Sequence, residues 1–574
     1  MLRLDKRRLL AIARGEELAD LVIKNAKIIN VYTKDIDLGN LAIADGKIIG
    51  IGDYSGKEEM DLSGYFIAPG FIDGHVHIES SMLTPNNYAR AVLKRGTTSV
   101  VADCHEIANV LGNTGIDFML DVAKESGIDC FMMIPSCVPS TPFETSGAIL
   151  KAKDIEKYKQ YENVLGLGEM MDYPGAINGE TDVLEKIDTF KDLVIDGHAP
   201  EVSGKNLNAY RLNGIKTDHE CTTPRELIEK VKLGMYVHLR EGSQTKNVTD
   251  LLGGLDSKYY NRIMFCSDDL HPSDINKTGH IDNNINIAIN NGIDPIEAIS
   301  MATLNIAECY NLRSVGALSP GKKADIICFK DLNKINVEHV FKNGALILKD
   351  HELLIQPVKI DISKVVDTVN IDVDSIDLSI KLKNDFVNVM GLVKNNVTTN
   401  KLNEKVVLDE GLFLAKNNPG LLKLCVIERH KRSGNIGKGI VKGYGLKNGA
   451  LAMTIAHDSH NLICLGDNDS DMLLAIRKIK DIGGGIVLVS DNKVLDYLKL
   501  EVAGLMSSEN IEYVEERLVS LEKLIRNLGV NDEIEDPFLQ LAFLSLAVIP
   551  ELKLTDLGLF DVSQYKIIAL EAGE

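Results

Sequence analysis

The chain has 574 residues, 45% hydrophobic and 25% charged, a composition typical of a soluble globular protein with roughly two to four domains. Its formal charge is −20, from 63 basic and 83 acidic residues, which argues against nucleic acid as a partner because a phosphate backbone would be repelled. The sequence has no apolar run of about 18 residues, so we expect no membrane span and no membrane partner.

The N-terminal region predicts a helix followed by short strands. Residues 5–19 carry Leu and Ala at helical spacing with a basic face, which indicates a short surface helix. From Leu21 the pattern changes to strands, with apolar runs at 21–23, 26–29 and 41–49. The pair Asp45-Gly46 between two apolar runs predicts a two-residue hairpin turn. We therefore expect a small antiparallel β unit here.

From residue 71 to about residue 311 the order of strand, turn and helix repeats. Eight such units in about 240 residues predict an α/β fold, a TIM-like (β/α)8 barrel with its active site at the C-terminal ends of the strands. An open doubly wound sheet is the alternative, but it would require a Gly-rich phosphate-binding turn after the first strand, and that turn is missing. The predicted strands are 71–79, 97–106, 130–138, 164–171, 193–198, 215–220, 235–240 and 263–269.

Two further units flank the predicted barrel of residues 71–311. The stretch from Gly316 to Asp325 leads into strands at 326–329 and 340–347, which are similar in type to the N-terminal strands. We expect 1–70 and 312–370 to form one composite β-sandwich. Residues 371–574 are expected to form a separate α+β domain, rich in strands and glycine turns at first and more helical from Asp469 on.

Histidines and carboxylates stand at the C-terminal ends of the predicted strands. His75 and His77 share one face of the first strand, because side chains at i and i+2 point the same way, and they can bind one metal together. Any one of these residues alone could simply hydrogen-bond a loop, but six at one rim predict a metal centre. Imidazole and carboxylate ligands suit Zn, Mn or Fe, and six are too many for one tetrahedral ion, so two bridged ions are expected. The predicted ligands are His75, His77, Glu169, His198, His219 and Asp268.

The order of these ligands along the barrel resembles the amidohydrolase superfamily. Over essentially its whole length, the chain is similar to the bacterial and archaeal adenine deaminase family. Glu169 stands where most two-metal amidohydrolases have a carbamylated lysine, as in that family, whereas His238 has no place in the family pattern. The matching motifs are P-G-F-I-D-G-H-V-H-I-E-S-S-M at 69–82, G-T-T-S-V-V-A-D-C-H-E-I-A-N-V at 96–110, G-E-M-M at 168–171, D-G-H-A-P at 196–200, D-H-E at 218–220, R-E-G-S at 240–243, S-D-D at 267–269 and H-D-S-H-N at 457–461.

The resemblance implies hydrolysis of adenine to hypoxanthine and ammonia, in purine salvage or adenine catabolism, with two divalent ions, Mn²⁺ or Fe²⁺ in preference to Zn²⁺. Carbon 6 of adenine is a poor electrophile, so the reaction needs a hydroxide, which a metal can generate near neutral pH, and a proton on N1. Asp268 is placed to take the proton of the nucleophile, and a second carboxyl must protonate N1. Among Asp103, His105 and Glu106 at the rim of the second strand, we favour Glu106. The alternative is that these three residues hold His75 and His77 in place.

The segment His457-Asp458-Ser459-His460-Asn461 lies outside the predicted barrel. It could be a polar turn, a part of a lid that reaches back to the barrel mouth, or a further metal site. We favour a functional role because ligand-type side chains are dense in this segment. The candidates for the pocket or lid are His105, Arg240, Ser243, His457, Asp458 and His460.

Two other functions compete with adenine deamination. The first is another amidohydrolase reaction, on a cyclic amide or a different amino-substituted heterocycle, against which Glu169 and the H-E-I-A-N-V stretch argue. The second is a scaffold with a decayed site, which would have no reason to keep six ligands. The zinc base deaminases of another fold are excluded, because their C-x-x-C motif is missing.

The cysteines and the start of the chain bear on its location. Nine scattered cysteines without a C-x-x-C pair suit a reducing compartment better than a disulfide framework. The first residues lack an apolar signal core and a cleavage site. We therefore expect a cytoplasmic protein. Its expected partner is a small-molecule substrate, adenine, and the chain is expected to form a homo-oligomer, a dimer or larger.

Overall fold

The computed structural model describes residues 2–393 and 396–572. The first helix spans Leu2–Ala13 rather than the predicted 5–19, and its predicted C-terminal end at residue 19 was wrong because a strand already begins at Ala19. The predicted hairpin is present, and Asp45 and Gly46 have φ of 49° and 70°, as a two-residue turn of this kind requires. The first elements are α1 (Leu2–Ala13), β1 (Ala19–Asn30), β2 (Asp35–Ala44), β3 (Lys47–Ile51), β4 (Gly56–Asp61) and β5 (Phe66–Pro69).

All eight predicted barrel strands are present and parallel. In the described part of the chain they form a five-stranded sheet and a three-stranded sheet. Backbone hydrogen bonds join these sheets at both seams, from the N–H of Lys216 to the carbonyl of Ile195 (2.9 Å) and from the N–H of Asp268 to that of His75 (3.0 Å). The result is a TIM-like barrel. Its strands are β6 (Phe71–Val76), β7 (Thr97–Asp103), β8 (Asp129–Ile134), β9 (Val164–Met170), β10 (Val194–Gly197), β11 (Thr217–Asp218), β12 (Tyr236–Arg240) and β13 (Ile263–Cys266).

Helices between and after these strands cover the barrel, and their starts are encoded locally. Thr223 accepts the N–H of Glu226 at the start of one helix, with Pro224 in its first turn. The helices are α2 (Pro85–Leu93), α3 (His105–Leu111), α4 (Asn113–Glu125), α5 (Ala152–Ile155), α6 (Tyr173–Asn178), α7 (Thr181–Phe190), α8 (Gly204–Leu212), α9 (Pro224–Lys232), α10 (Val248–Leu252), α11 (Pro272–Lys277), α12 (Ile281–Asn290), α13 (Pro295–Met301) and α14 (Leu304–Cys309).

Several barrel strands end earlier than their predicted limits, just before a predicted ligand. Strand β6 ends at Val76, β10 at Gly197 and β11 at Asp218, so that His77, His198 and His219 are the next residues in each case. The regular strands end here, and the side chains that follow lie at the rim of the barrel. The predicted ranges were too long for this reason.

The two segments that flank the barrel pair with each other. Strand β5 and the first strand after the barrel are antiparallel neighbours, with Ile326 opposite Pro69. The strands after the barrel are β14 (Ile326–Phe329), β15 (His339–Lys342), β16 (Ala345–Lys349) and β17 (Glu352–Leu353). Both segments belong to one nine-stranded sheet among the described residues, in the order β17-β16-β15-β14-β5-β1-β2-β3 with β4 beside β1. Its division into the two layers of a sandwich stays a prediction.

The elements of the C-terminal region are β18 (Phe386–Leu392), β19 (Thr399–Lys405), β20 (Leu408–Asp409), β21 (Leu412–Phe413), β22 (Leu421–Ile427), β23 (Ile436–Lys442), β24 (Ala450–Met453), β25 (Leu462–Gly466), α15 (Asp469–Ile482), β26 (Gly485–Ser490), β27 (Lys493–Lys499), α16 (Ile511–Asn527), α17 (Pro537–Ala542), β28 (Leu552–Thr555), β29 (Gly558–Asp561) and β30 (Lys566–Ile568). Eight of these strands form one sheet among the described residues, in the order β19-β18-β23-β22-β25-β24-β26-β27. The region after Asp469 is less purely helical than expected, because apolar runs such as 486–489 are buried strands between the helices.

The barrel and the C-terminal region share a hydrophobic core. One buried cluster contains Phe71 and Val237 of the barrel together with Leu465 and Leu541 of the C-terminal region. The C-terminal region is thus packed onto the barrel. Over the described ranges, we find no helix with the length and apolar character needed to cross a membrane.

Candidate active site

The first strand and the eighth strand bring three predicted ligands to one point. The Nε2 atoms of His75 and His77 are 3.2 Å apart, and Nε2 of His77 lies 3.2 Å from Oδ1 of Asp268. The Nδ1 atom of His77 faces the carbonyl of Asp103 at 3.1 Å, which fixes the proton on Nδ1 and leaves the Nε2 lone pair directed into the site. These atoms lie close enough together to hold one cation.

Glu169 connects this point with a second one. Its Oε1 lies 3.1 Å from Nε2 of His77, while its Oε2 lies 2.7 Å from Nδ1 of His198 and 3.2 Å from Nε2 of His219. The ligand atoms of His75, His77 and Glu169 lie within 4.8 Å of one another, and so do those of Glu169, His198 and His219. One carboxylate therefore belongs to two candidate metal sites and directs a different oxygen to each.

Asp268 is held from the side opposite the histidines. Nη1 of Arg240 lies 2.5 Å from its Oδ2. Burial alone would raise the pKa of Asp268, but the guanidinium of Arg240 together with His77 and His219 outweighs burial, and the pKa lies well below its usual range. The backbone of Asp268 is left-handed, with φ of 57°, a conformation that is costly for a non-glycine residue and is found preferentially at functional sites. The carboxylate is thus ionised and fixed in direction.

Sequence reasoning missed Glu220, which borders the second candidate metal site. Its Oε1 lies 3.4 Å from Nε2 of His219 and 3.7 Å from Nδ1 of His198, and its carboxylate pairs with Arg240. Arg240 therefore links Glu220 to Asp268. The D-H-E motif could have indicated Glu220, because an acidic residue there directly follows the predicted ligand His219.

Asp103, His105 and Glu106, at and after the end of β7, differ in what they contact. The carboxylate of Asp103 accepts the backbone N–H of Glu169 (3.0 Å) and that of His105 (3.1 Å). The ring of His105 lies between two carboxylates, with Nδ1 3.4 Å from Oε1 of Glu169 and Nε2 3.5 Å from Oε1 of Glu106. Its Nδ1 is buried, and no described residue gives it a hydrogen bond. Asp103 thus holds the backbone, while His105 and Glu106 project toward the site.

The C-terminal segment reaches the barrel through Glu106. Nδ1 of His457 lies 2.8 Å from Oε1 of Glu106, and Nε2 of His460 contacts its Oε2. Burial would raise the pKa of Glu106, but His457, His460 and His105 together outweigh burial and hold it well below its usual value. Asp458 is also buried, its Oδ2 has no hydrogen-bond partner among the described residues, and burial raises its pKa to about 6.

Ser243 and His238, both noted in the sequence, lie outside the two candidate metal sites. The hydroxyl of Ser243 donates to Asp274 and accepts the backbone N–H of His271 (2.8 Å), so it joins two loops. His238, left unassigned, is buried beside His75 with ring centroids 6.4 Å apart, and its Nε2 lies 3.4 Å from the hydroxyl of Tyr310. Burial lowers the pKa of His238 to about 3, which keeps its ring neutral.

The site is accessible from one side. The side chain of His198 is 19% exposed and that of Glu220 is 15% exposed, whereas those of His75 and His219 are 1% and 3% exposed. The site therefore borders solvent beside His198 and Glu220. The remaining ligands form the floor of the site.

The donor set fits two divalent transition-metal ions. Imidazole nitrogens and carboxylate oxygens are ligands that Mn, Fe and Zn accept. The Nε2 atoms of His75 and His77 face each other and the same carboxylates, a convergence that protein hydrogen bonding alone does not satisfy. The chain therefore has the residues of a metal-dependent hydrolase.

Known proteins match the chain over almost its whole length. Residues 66–347 match the amidohydrolase family model, and residues 396–566 match the adenine deaminase C-terminal domain model. The adenine deaminase of Clostridium acetobutylicum is 49% identical over 97% of this chain and 98% of its own. Adenine deaminase 2 of Carboxydothermus hydrogenoformans is 44% identical over 98% of each chain. These relatives match the barrel, the flanking strands and the C-terminal region together. The chain therefore belongs to the adenine deaminase family of the amidohydrolases.

Proposed function

We propose that the protein hydrolyses adenine to hypoxanthine and ammonia at a binuclear metal centre, in purine salvage or adenine catabolism. The observation that carries the binuclear proposal is Glu169, whose two carboxylate oxygens face two different ligand sets. The identity of 42–49% to adenine deaminases over nearly the whole chain supports adenine as the substrate.

The ligand sets assign residues to two ions. His75, His77 and Asp268 with Oε1 of Glu169 would hold one ion, and His198 and His219 with Oε2 of Glu169 would hold the other. The mixture of imidazole and carboxylate donors favours Mn²⁺ or Fe²⁺, with Zn²⁺ as the alternative. When bound, such ions lower the pKa of water to near neutrality and polarise the substrate.

The protein side chains move and hold the protons. Asp268 would take a proton from the attacking water, in a direction fixed by Arg240. Glu106, which is ionised at rest, would receive one proton of the water and pass it to N1 of adenine, and the proton held by Asp268 would go to the departing ammonia. Asp103 would hold the backbone of Glu169 and His105, so that the bridging carboxylate and the proton shuttle keep their positions relative to each other.

We also propose how the chain is divided and where it works. The units are 1–70 with 312–370, the barrel at 71–311 and the C-terminal domain at 371–574. All nine cysteines are buried and free, which supports a reducing, cytoplasmic setting. The active form is a homo-oligomer, a dimer or larger.

Free adenine is expected to be a far better substrate than adenosine or AMP. Acidic side chains including Glu106, Glu220 and Asp268 surround the site, and the chain carries a charge of −20, so a phosphate would be repelled. Specificity constants for the three compounds, measured on one preparation, test this expectation. We expect kcat/KM for adenine to exceed that for AMP by at least about 100-fold. Equal values for adenine and AMP would overturn the substrate assignment.

A further inference from the structure

Two histidines of the C-terminal domain occupy both oxygens of the carboxylate of Glu106. His457 approaches Oε1 through Nδ1 at 2.8 Å, and His460 approaches Oε2 through Nε2. The three side chains are 2–4% exposed at most, so water does not compete for these contacts. Glu106 belongs to helix α3 of the barrel, and the pairs are separated by 351 and 354 positions in the sequence. Two domains therefore meet at the proposed proton shuttle.

The hydrogen bonds on the other side of the His460 ring show which partner donates. Its Nδ1 accepts the backbone N–H of Ala456 at 3.2 Å, so Nδ1 carries no proton. In an imidazole with a bare Nδ1, the proton is on Nε2, and Nε2 therefore donates to Glu106. A metal-ligating histidine normally donates its other N–H to a neighbour, and His460 has the opposite arrangement. The cluster is thus a hydrogen-bonded clamp on a carboxylate rather than a third metal site.

The segment that carries the histidines is itself fixed on two sides. Within the C-terminal domain, His430 donates to the carbonyl of Ser459 at 2.8 Å. Toward the barrel, the hydroxyl of Ser459 donates to Oε2 of Glu144 at 2.6 Å, and the amide of Asn461 donates to the carbonyl of Thr145 at 2.8 Å. The segment 457–461 is buried, so it holds its histidines in constant positions.

We propose that His457 and His460 are positioning residues of the reaction and that the C-terminal domain thereby completes the active site of the barrel. This inference rests on the proposed function, in which Glu106 transfers the proton. The two N–H groups hold both carboxylate oxygens and set the direction in which Glu106 faces the substrate. Without them, the nearest charged partner of Glu106 is His105, 3.5 Å away on the barrel side. A displacement of about 1 Å in such a group can cost about 10²-fold in rate.

The different nitrogens used by the two histidines allow a matched test. The amide nitrogen of asparagine can replace Nδ1 of a histidine, and that of glutamine can replace Nε2. We expect His457→Ala and His460→Ala to lower kcat for adenine by about 10²-fold each. His457→Asn and His460→Gln should recover about tenfold or more of that loss, the equivalent of one hydrogen bond to a charged group. The exchanged variants, His457→Gln and His460→Asn, should not recover the lost kcat.

Three controls separate positioning from other effects. His339→Asn changes a buried histidine of the flanking sheet and should leave kcat unchanged. The metal content and thermal unfolding midpoint of every variant identify losses through metal or folding. Because the histidines act through Glu106, adding His457→Ala to Glu106→Gln should cost little more than Glu106→Gln alone.

The outcomes distinguish this inference from the proposed function. Failure of the wild-type protein to deaminate adenine would refute the proposed function. With an active wild type, equal recovery by asparagine and glutamine, or alanine variants with full kcat, would overturn the positioning role. Loss of one further metal ion per chain in the double alanine variant, with the other two retained, would show a third metal site instead.

Discussion

Replacement of His75 or His198 by alanine is expected to remove metal and adenine turnover together while the chain stays folded. Each side chain supplies one nitrogen to a candidate metal site, and the core of a barrel does not depend on its rim. The loss of activity should reach about 10³-fold or more, the rate equivalent of the several kcal/mol that an activating metal supplies. Metal analysis, turnover and thermal unfolding of the same samples measure all three quantities.

His351→Ala is the matched control for these variants, because His351 is exposed in the flanking segment and should affect neither metal nor rate. Glu169→Lys should be inactive, although most two-metal amidohydrolases have a carbamylated lysine at this position, since an uncarbamylated ammonium would repel both cations. A His75 or His198 variant with full metal occupancy and wild-type turnover would contradict the ligand assignment.

Glu106→Gln is expected to keep the metals and bind adenine but to lose about 10²–10⁴-fold in rate, the usual worth of general acid catalysis. The amide fills the same space but cannot deliver the proton. A 6-substituted purine with a better leaving group should suffer less, because protonation matters less to its departure. Steady-state rates for both substrates and the metal content, taken on one preparation, measure this effect.

The alternative for Glu106 predicts a different pattern. If it only holds the metal-binding histidines, Glu106→Gln should lose metal, and the rates for both substrates should fall in step. The contacts of Glu106 favour the shuttle, because its two oxygens contact His457 and His460 and lie near His105, a neighbour of the site, whereas a role in holding the metal-binding histidines would require contacts with His75 or His77. Equal losses with depleted metal would contradict the shuttle role.

The barrel and the convergence of the predicted ligands at its rim were predictable from the sequence because they rest on local patterns. Short apolar runs between helical stretches mark the strands, and the ligands stand at or just past the strand ends. The H-x-H pair at His75 and His77 fixes its own geometry through the alternation of a strand. The early strand ends at Val76 and Gly197 could not be predicted, because the apolar pattern does not mark the residue at which pairing with the neighbouring strands stops.

Contacts between distant parts of the chain had no local signal. The link from Glu220 through Arg240 to Asp268 joins three strand ends, and each residue alone looks like an ordinary charged group. The segment at His457 could be singled out by its composition, but its partner Glu106 could not be named from the sequence. The flanking strands were predicted as a unit, while the single continuous sheet follows from the pairing of β5 with β14, which the pattern does not specify.

The central claim is that Glu169 bridges two metal ions in an adenine deaminase. It is tested most directly by adding Mn²⁺ stepwise to metal-free protein and following hypoxanthine formation from adenine at each step. Because the ligands form two sets that share one carboxylate, the rate should rise until two equivalents per chain are bound and then stay constant. A plateau at one equivalent, or full turnover by the metal-free protein, would contradict the account.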